Sequence, residues 1–367
     1  MKKIFYTLTL IIFLISFGTQ AAFSNNDASS YYNQGIVYNS SRDFSKAVEE
    51  FNKAIDLDKN HIKSYCARGY AYLQLKENTK AIKDYTKALT LNPVSEEAYS
   101  GRAYVYLMNK DYTKAFQDID QIFNINQFSP QGLFVRGVYC TINNINSEAI
   151  ENLTKAVNAN PNNIDAYLWR GTAYQQSKNF SDAILDYNKA LELSPNNMEI
   201  YLSRGNAYTA NGDNLLALED YNKVINTEPK LAKAYLARAI FYEKEQKYET
   251  AIKDLTKAIE LNPNEIASYS HRAKIYTTTK EYNAALNDYE KIIQLNPQNT
   301  KYYYLKINTN INLKNYQEVI NDCLKISDIN PGAIDVYLIK MLAYEELGDF
   351  NKAKEEQKKY QKALLKL

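Results

Sequence analysis

The sequence predicts an all-α solenoid, and three observations carry that prediction. One 34-residue pattern recurs from Ala28 to Leu367 without insertion or deletion. Each copy contains two runs of one-sided, helical hydrophobicity. Helix breakers are rare, with 11 Gly and 8 Pro in 367 residues, while 33 Tyr and an apolar content of 45 % supply a core.

The period is read from recurring strings. YCARGYAY at 65–72, YLWRGTAY at 167–174 and YLSRGNAY at 201–208 share one template. DYTKA at 84–88, DYNKA at 186–190 and DLTKA at 254–258 share a second. A frame opened at Ala28 divides the chain into ten units: 28–61, 62–95, 96–129, 130–163, 164–197, 198–231, 232–265, 266–299, 300–333 and 334–367.

In the first helix of each unit, apolar residues fall at frame positions 4, 8 and 11, the spacing of one helical face. Position 4 is Tyr in nine units, with Leu133 the exception, and position 11 is Tyr in eight. Position 8 is small in eight units: Gly35, Gly69, Ala103, Gly137, Gly171, Gly205, Ala239 and Ala273. Gly inside a helix costs about 1 kcal/mol relative to Ala, so its recurrence implies close packing there. The expected counterpart is position 20 of the second helix, Ala in nine units and Val319 in the other. Small residues on both helices would let them approach closely.

The second helix is bounded by punctuation. Asp43, Asp111, Asn179, Asp213, Asn315 and Asp349 suit its N-cap. Pro93, Pro161, Pro195, Pro229, Pro263, Pro297 and Pro331, all at position 32, follow its end.

The order aromatic, small, Tyr, Ala, aromatic, Ala, Pro at positions 4, 8, 11, 20, 24, 27 and 32 resembles the tetratricopeptide repeat (TPR) family. The resemblance covers everything from Ala28 onward. It implies a right-handed superhelix of helical hairpins whose first helices line a concave groove, and a protein-binding role. The last two units depart from the pattern. Unit nine has Ile307, Asn310 and Cys323 at positions 8, 11 and 24, and unit ten has Met341 and Gln357. Terminal repeats must face water, and a final helix rich in Lys, Glu and Gln suits that.

Position 7 departs from the family pattern throughout, being Arg68, Arg102, Arg136, Arg170, Arg204, Arg238 and Arg272, then Lys306 and Lys340. Position 23 carries an acid almost as regularly: Glu50, Asp84, Asp118, Asp186, Asp220, Asp254, Asp288, Asp322 and Glu356. One acid per base at a constant offset predicts a ladder of partly buried ion pairs, in preference to a basic stripe awaiting an anion.

The family's groove positions give the candidate ligand surface. They place Tyr70, Leu73, Tyr104, Leu107, Phe134, Val138, Leu168 and Leu202 along an apolar stretch in units two to six. Later units are more polar, with Glu243, Lys244, Lys274, Glu345 and Glu346. An exposed apolar groove suits an extended or helical peptide, although the same positions also pack neighbouring helices. Trp169, the one Trp, sits at the groove rim as an anchor or a packing residue. No unit pairs Lys at position 5 with Asn at position 9, so the carboxylate clamp of some relatives is absent.

The first residues read as an export signal. Lys2 and Lys3 precede an apolar run from Ile4 to Phe17 and a small-residue exit, with cleavage expected after Ala21 or Ala22. The run is too short for a bilayer span of about 20 residues. The expectation is a periplasmic or secreted protein with a domain beginning at Ala28. Removing the two lysines takes 44 basic residues to parity with 42 acidic ones. Such a neutral body carries no electrostatic footprint for nucleic acid. Cys66, Cys140 and Cys323 lie in non-adjacent units and read as apolar fillers.

No phosphate loop, metal-ligand spacing or nucleophile motif is present, and the two histidines are about six repeats apart. No catalytic residue, metal or cofactor is expected. The leading expectation is a non-enzymatic scaffold holding a peptide or partner protein in its groove. One alternative is a structural component of an envelope assembly, and another is a glycan binder stacking sugars on Tyr70 and Tyr104.

Overall fold

The computed structural model describes residues 27–365, so the N-terminal segment expected to direct export lies outside the described residues. Within them are twenty helices and no strand. The chain divides into two compact units at Ser194 and Pro195, each with five hairpins.

The first unit comprises α1 (Ala28–Ser40), α2 (Phe44–Leu57), α3 (Ile62–Gln74), α4 (Asn78–Leu91), α5 (Glu96–Met108), α6 (Tyr112–Ile125), α7 (Pro130–Ile142), α8 (Asn146–Ala159), α9 (Ile164–Gln176) and α10 (Phe180–Leu193). The second comprises α11 (Met198–Asn211), α12 (Asn214–Thr227), α13 (Ala232–Lys244), α14 (Tyr248–Leu261), α15 (Ile266–Thr278), α16 (Tyr282–Leu295), α17 (Thr300–Asn312), α18 (Tyr316–Ile329), α19 (Asp335–Glu346) and α20 (Phe350–Leu364). Odd-numbered helices are the first of each hairpin. Within each unit, every second helix packs on its own first helix and on the first helix of the next hairpin. This stacking buries an apolar stripe that one hairpin could not cover alone.

The turn inside each hairpin depends on one left-handed residue at position 15. Arg42, Lys76, Lys110, Asn144, Lys178, Gln246, Lys280 and Lys314 hold φ between 58° and 64°, and Gly212 and Gly348 occupy the same place. The reversal lets the next amide reach back, as Asn179 N–H does to the Tyr174 carbonyl at 2.9 Å. Asp43, Asp111, Asn179 and Asp349 then cap the second helix through their side chains. Asp213 and Asn315 make no such bond. Their side chains engage Asn211 and Asn310 instead.

The close approach within a hairpin differs from the sequence expectation. The small residue at position 8 faces the large residue at position 24, not the Ala at position 20. A Cβ placed on Gly171 would lie 2.7 Å from the Tyr187 ring, and one on Gly205 would lie 2.8 Å from Tyr221. Tyr187 and Tyr221 are among the largest fully buried side chains. The glycine thus makes room for a ring rather than for a second backbone. Position 20 is buried independently; Ala47, Ala81, Ala183 and Ala217 are inaccessible to solvent.

The arginine ladder stitches six of the ten hairpins together. Arg170 donates from Nε and Nη2 to the two carboxylate oxygens of Asp186 at 2.8 and 2.6 Å. Arg68–Asp84, Arg102–Asp118, Arg204–Asp220, Arg238–Asp254 and Arg272–Asp288 repeat that fork. The third nitrogen reaches position 25 of the preceding second helix where Arg68 meets Asn52 and Arg272 meets Thr256. Above and below the guanidinium lie the tyrosines of positions 4 and 11, with Arg204 5.3 Å from the Tyr201 ring and 5.5 Å from Tyr208. This cage explains much of the tyrosine content. Burial pushes the Asp186 carboxyl up from its ordinary value while Arg170 pulls it down, so the fork offsets a desolvation cost.

Lys306 and Lys340 make simpler contacts, to Asp322 at 3.2 Å and Glu356 at 2.9 Å. Arg136 departs from the ladder altogether. No carboxylate stands at position 23 of its unit, where the residue is Asn152, and Arg136 turns outward to Glu148 at 2.8 Å.

Two substitutions test these contacts. Asp186→Ala strands a buried guanidinium and should cost about 3–5 kcal/mol. Thermal melting checks this; an unchanged midpoint would show that the pair is idle. Gly171→Val should cost about 1–3 kcal/mol by crowding Tyr187. Valine at the exposed first-helix site Gln176 provides the propensity control.

Candidate interaction surface

The first helices of the first unit bring aromatic side chains from successive repeats together. Tyr104 of α5 stacks on Phe134 of α7 with centroids 5.9 Å apart and planes 13° apart. Trp169 of α9 meets Tyr104 edge-on at 6.3 Å, and its indole N–H donates to the Tyr104 hydroxyl at 3.1 Å. Three consecutive hairpins thus share one half-buried aromatic cluster over the core of Leu107, Ile119, Val135 and Val138. Trp169 lies two repeats from the ring it binds, a contact that the 34-residue frame does not reveal. Its being the one Trp in the chain is the available sequence signal.

The predicted groove residues separate into two groups. Tyr70 is 37 % exposed, while Leu73, Tyr104, Phe134 and Leu168 are half-buried. Leu107, Val138 and Leu202 are buried and offer no surface. Leu107 of α5 and Val138 of α7 pack into the core beneath the aromatic cluster. Leu202 also belongs to the second unit, so the apolar surface of the first unit consists of Tyr70, Leu73, Tyr104, Phe134 and Leu168.

The tyrosines on this face are neutral hydrogen-bonding groups. Burial pushes the Tyr70 hydroxyl well above its ordinary value, and the Asp165 carboxylate adds to that. Burial also raises Tyr32, with Glu97 contributing. Glu97 is itself raised by burial, with Lys63 opposing.

The corresponding face of the second unit is charged but internally paired. Glu243 accepts from Lys274 at 2.8 Å and contacts His271 Nδ1 at 2.6 Å. Burial works to raise this carboxyl, but its two partners hold it below the ordinary value. Tyr304 donates to Asp335 at 3.0 Å.

The other reactive residue types have structural surroundings. His61 Nδ1 lies 2.7 Å from the Ser64 hydroxyl. The three cysteines are free and buried, and burial pushes Cys66 and Cys323 up to about 12 and Cys140 up to about 11, leaving little thiolate. Among the described residues no group of three or more His, Cys, Asp or Glu is placed to hold a metal ion. No helix there is long and apolar enough to cross a membrane.

Comparisons with known proteins agree with this architecture. Two family profiles described as "Tetratricopeptide repeat" match residues 62–93 and 232–265, and 28–61, 199–231 and 266–299 respectively. A third, "TPR repeat", matches 173–212. A search of curated proteins finds no match. Among solved structures, the crystal structure of the APC/C hetero-tetramer Cut9–Hcn1 aligns with a TM-score of 0.55 at 16 % identity, covering 86 % of this chain and 76 % of that one. A tetratricopeptide repeat protein from Parabacteroides merdae aligns with a TM-score of 0.44 at 18 % identity, covering 68 % and 98 %. At such identities the Cut9–Hcn1 likeness speaks for the fold alone. With the period, the hairpins and the family matches in agreement, this chain is a member of the tetratricopeptide repeat family.

Proposed function

We propose that this protein is an exported, non-enzymatic scaffold that holds a peptide or partner protein on the first-helix face of its first unit. The observation that carries the proposal is the Tyr104–Phe134–Trp169 cluster, flanked by the exposed Tyr70. Half-exposed aromatic rings offer large contact area at little entropic cost and are characteristic anchors of protein interfaces. Helices fix the cluster from below, so a partner meets a preformed surface. The Tyr70 hydroxyl, kept neutral by burial, can add a directional bond to an extended backbone. The family's tendency toward protein binding and the hetero-tetrameric state of the Cut9–Hcn1 neighbour support this reading. Export rests on the basic, apolar and small-residue order of the first 22 residues.

Capture from a cell-envelope extract tests the surface. Tyr70→Asp and Phe134→Asp should each reduce recovery of the partner at least about tenfold. Leu185→Asp, on the exposed side of the second helix α10, should leave recovery unchanged. Melting curves confirm that each variant is folded. Recovery lost in Leu185→Asp and kept in the other two would instead mark the second-helix face and an assembly role.

A further inference from the structure

Repeat four breaks the guanidinium cage at every position that defines it. Leu133 and Cys140 replace the two tyrosines, and Asn152 replaces the acid. On the preceding second helix, Asp120 stands where the other caged arginines face Asn or Thr. The consequence is local and visible. Arg136 is 50 % exposed, against 15–19 % for the six caged arginines.

A cleft of about 940 Å³ opens at this break, between α6, α7 and α8 on the second-helix side of the first unit. Its rim carries a second departure from the frame. Gln127 occupies the proline position, and Phe128 follows it with 79 % of its surface exposed. Across the cleft the Phe123 ring rests against Gly132.

The charges of the cleft are unequal. Arg136 is held by Glu148, and Lys155 by Glu151 at 2.7 Å. Asp120 has no hydrogen bond or ion pair among the described residues. An incoming anion would have to displace Glu148 from Arg136 while facing Asp120 and Glu151. An incoming cation displaces no ion pair and meets three carboxylates, Asp120, Glu148 and Glu151, against two bases, Arg136 and Lys155. Aromatic faces attract cations and accept the apolar stem of a long basic side chain.

We infer that this cleft binds a lysine or arginine side chain presented by a partner protein, with Asp120 receiving the charge and Phe123 and Phe128 receiving the stem. The site shares α7 with the proposed groove but lies on its second-helix side, among residues other than those of the groove. Its sequence signal is what repeat four lacks: the two tyrosines and the acid of the cage.

Fluorescence anisotropy with a labelled octapeptide of alternating Lys and Gly, against its Glu–Gly counterpart, tests the inference on the full chain. The lysine peptide should bind saturably and about tenfold more weakly to the Asp120→Asn, Phe128→Ser double variant. Both substituted side chains are exposed, so folding should be retained, as melting curves would verify. Tyr70→Asp should leave this binding intact. Asn152→Asp restores the missing acid and should draw Arg136 inward, leaving the lysine peptide bound at least as tightly. No saturable binding up to about 1 mM overturns the inference. So does equal binding by the double variant. Preferential binding of the glutamate peptide, lost in Asn152→Asp, would overturn it in favour of an anion site on Arg136.

Discussion

A guanidinium taken out of water must bring an acid with it, and this chain meets that requirement six times in the same way. Each fork joins the first and second helices of a hairpin at one register, because a bidentate pair tolerates little sliding. The flanking tyrosines close the cage from both sides along the first helix. The fork therefore sets the hairpin's alignment, while the buried rings of position 24 set its spacing. A buried pair of this kind is weak evidence for extra stability, but it penalises every other register.

Repetition made the fold readable. A period without a single insertion assigns each residue to a helix and a face before any contact is known. Contacts that depend on shape were less accessible. The expectation that Gly171 meets an alanine failed because a glycine can accommodate either a backbone or a ring, and spacing does not distinguish them. Val138 and Leu107 were placed correctly on the first helix yet turned into the core, because two positions of one helical face can differ in whether a neighbouring helix covers them. The Trp169–Tyr104 bond spans two repeats and lies beyond any argument made within one.

Regularity also turns an exception into information. Six caged arginines define what the seventh would do if packing alone governed it. Arg136 differs together with all of its prescribed neighbours, including one contributed by the preceding repeat. Loss of a single partner would leave an uncompensated charge in the interior. Joint replacement lets the charge leave and opens the outer helical layer without a penalty to the core beneath. The first unit consequently has two chemically distinct faces, one aromatic and neutral, the other a charged cleft bordered by phenylalanine.

The hairpin turns have a different implication. Eight of the ten left-handed residues are not glycine, and five of these are lysine. Each such backbone carries a steric penalty of about 1–2 kcal/mol. Summed along the chain, that strain rivals the whole margin by which ordinary domains stay folded. The stacked hairpins must therefore hold a surplus of packing energy large enough to absorb it. That reserve could be released one bend at a time, by substitution at position 15 of a single hairpin.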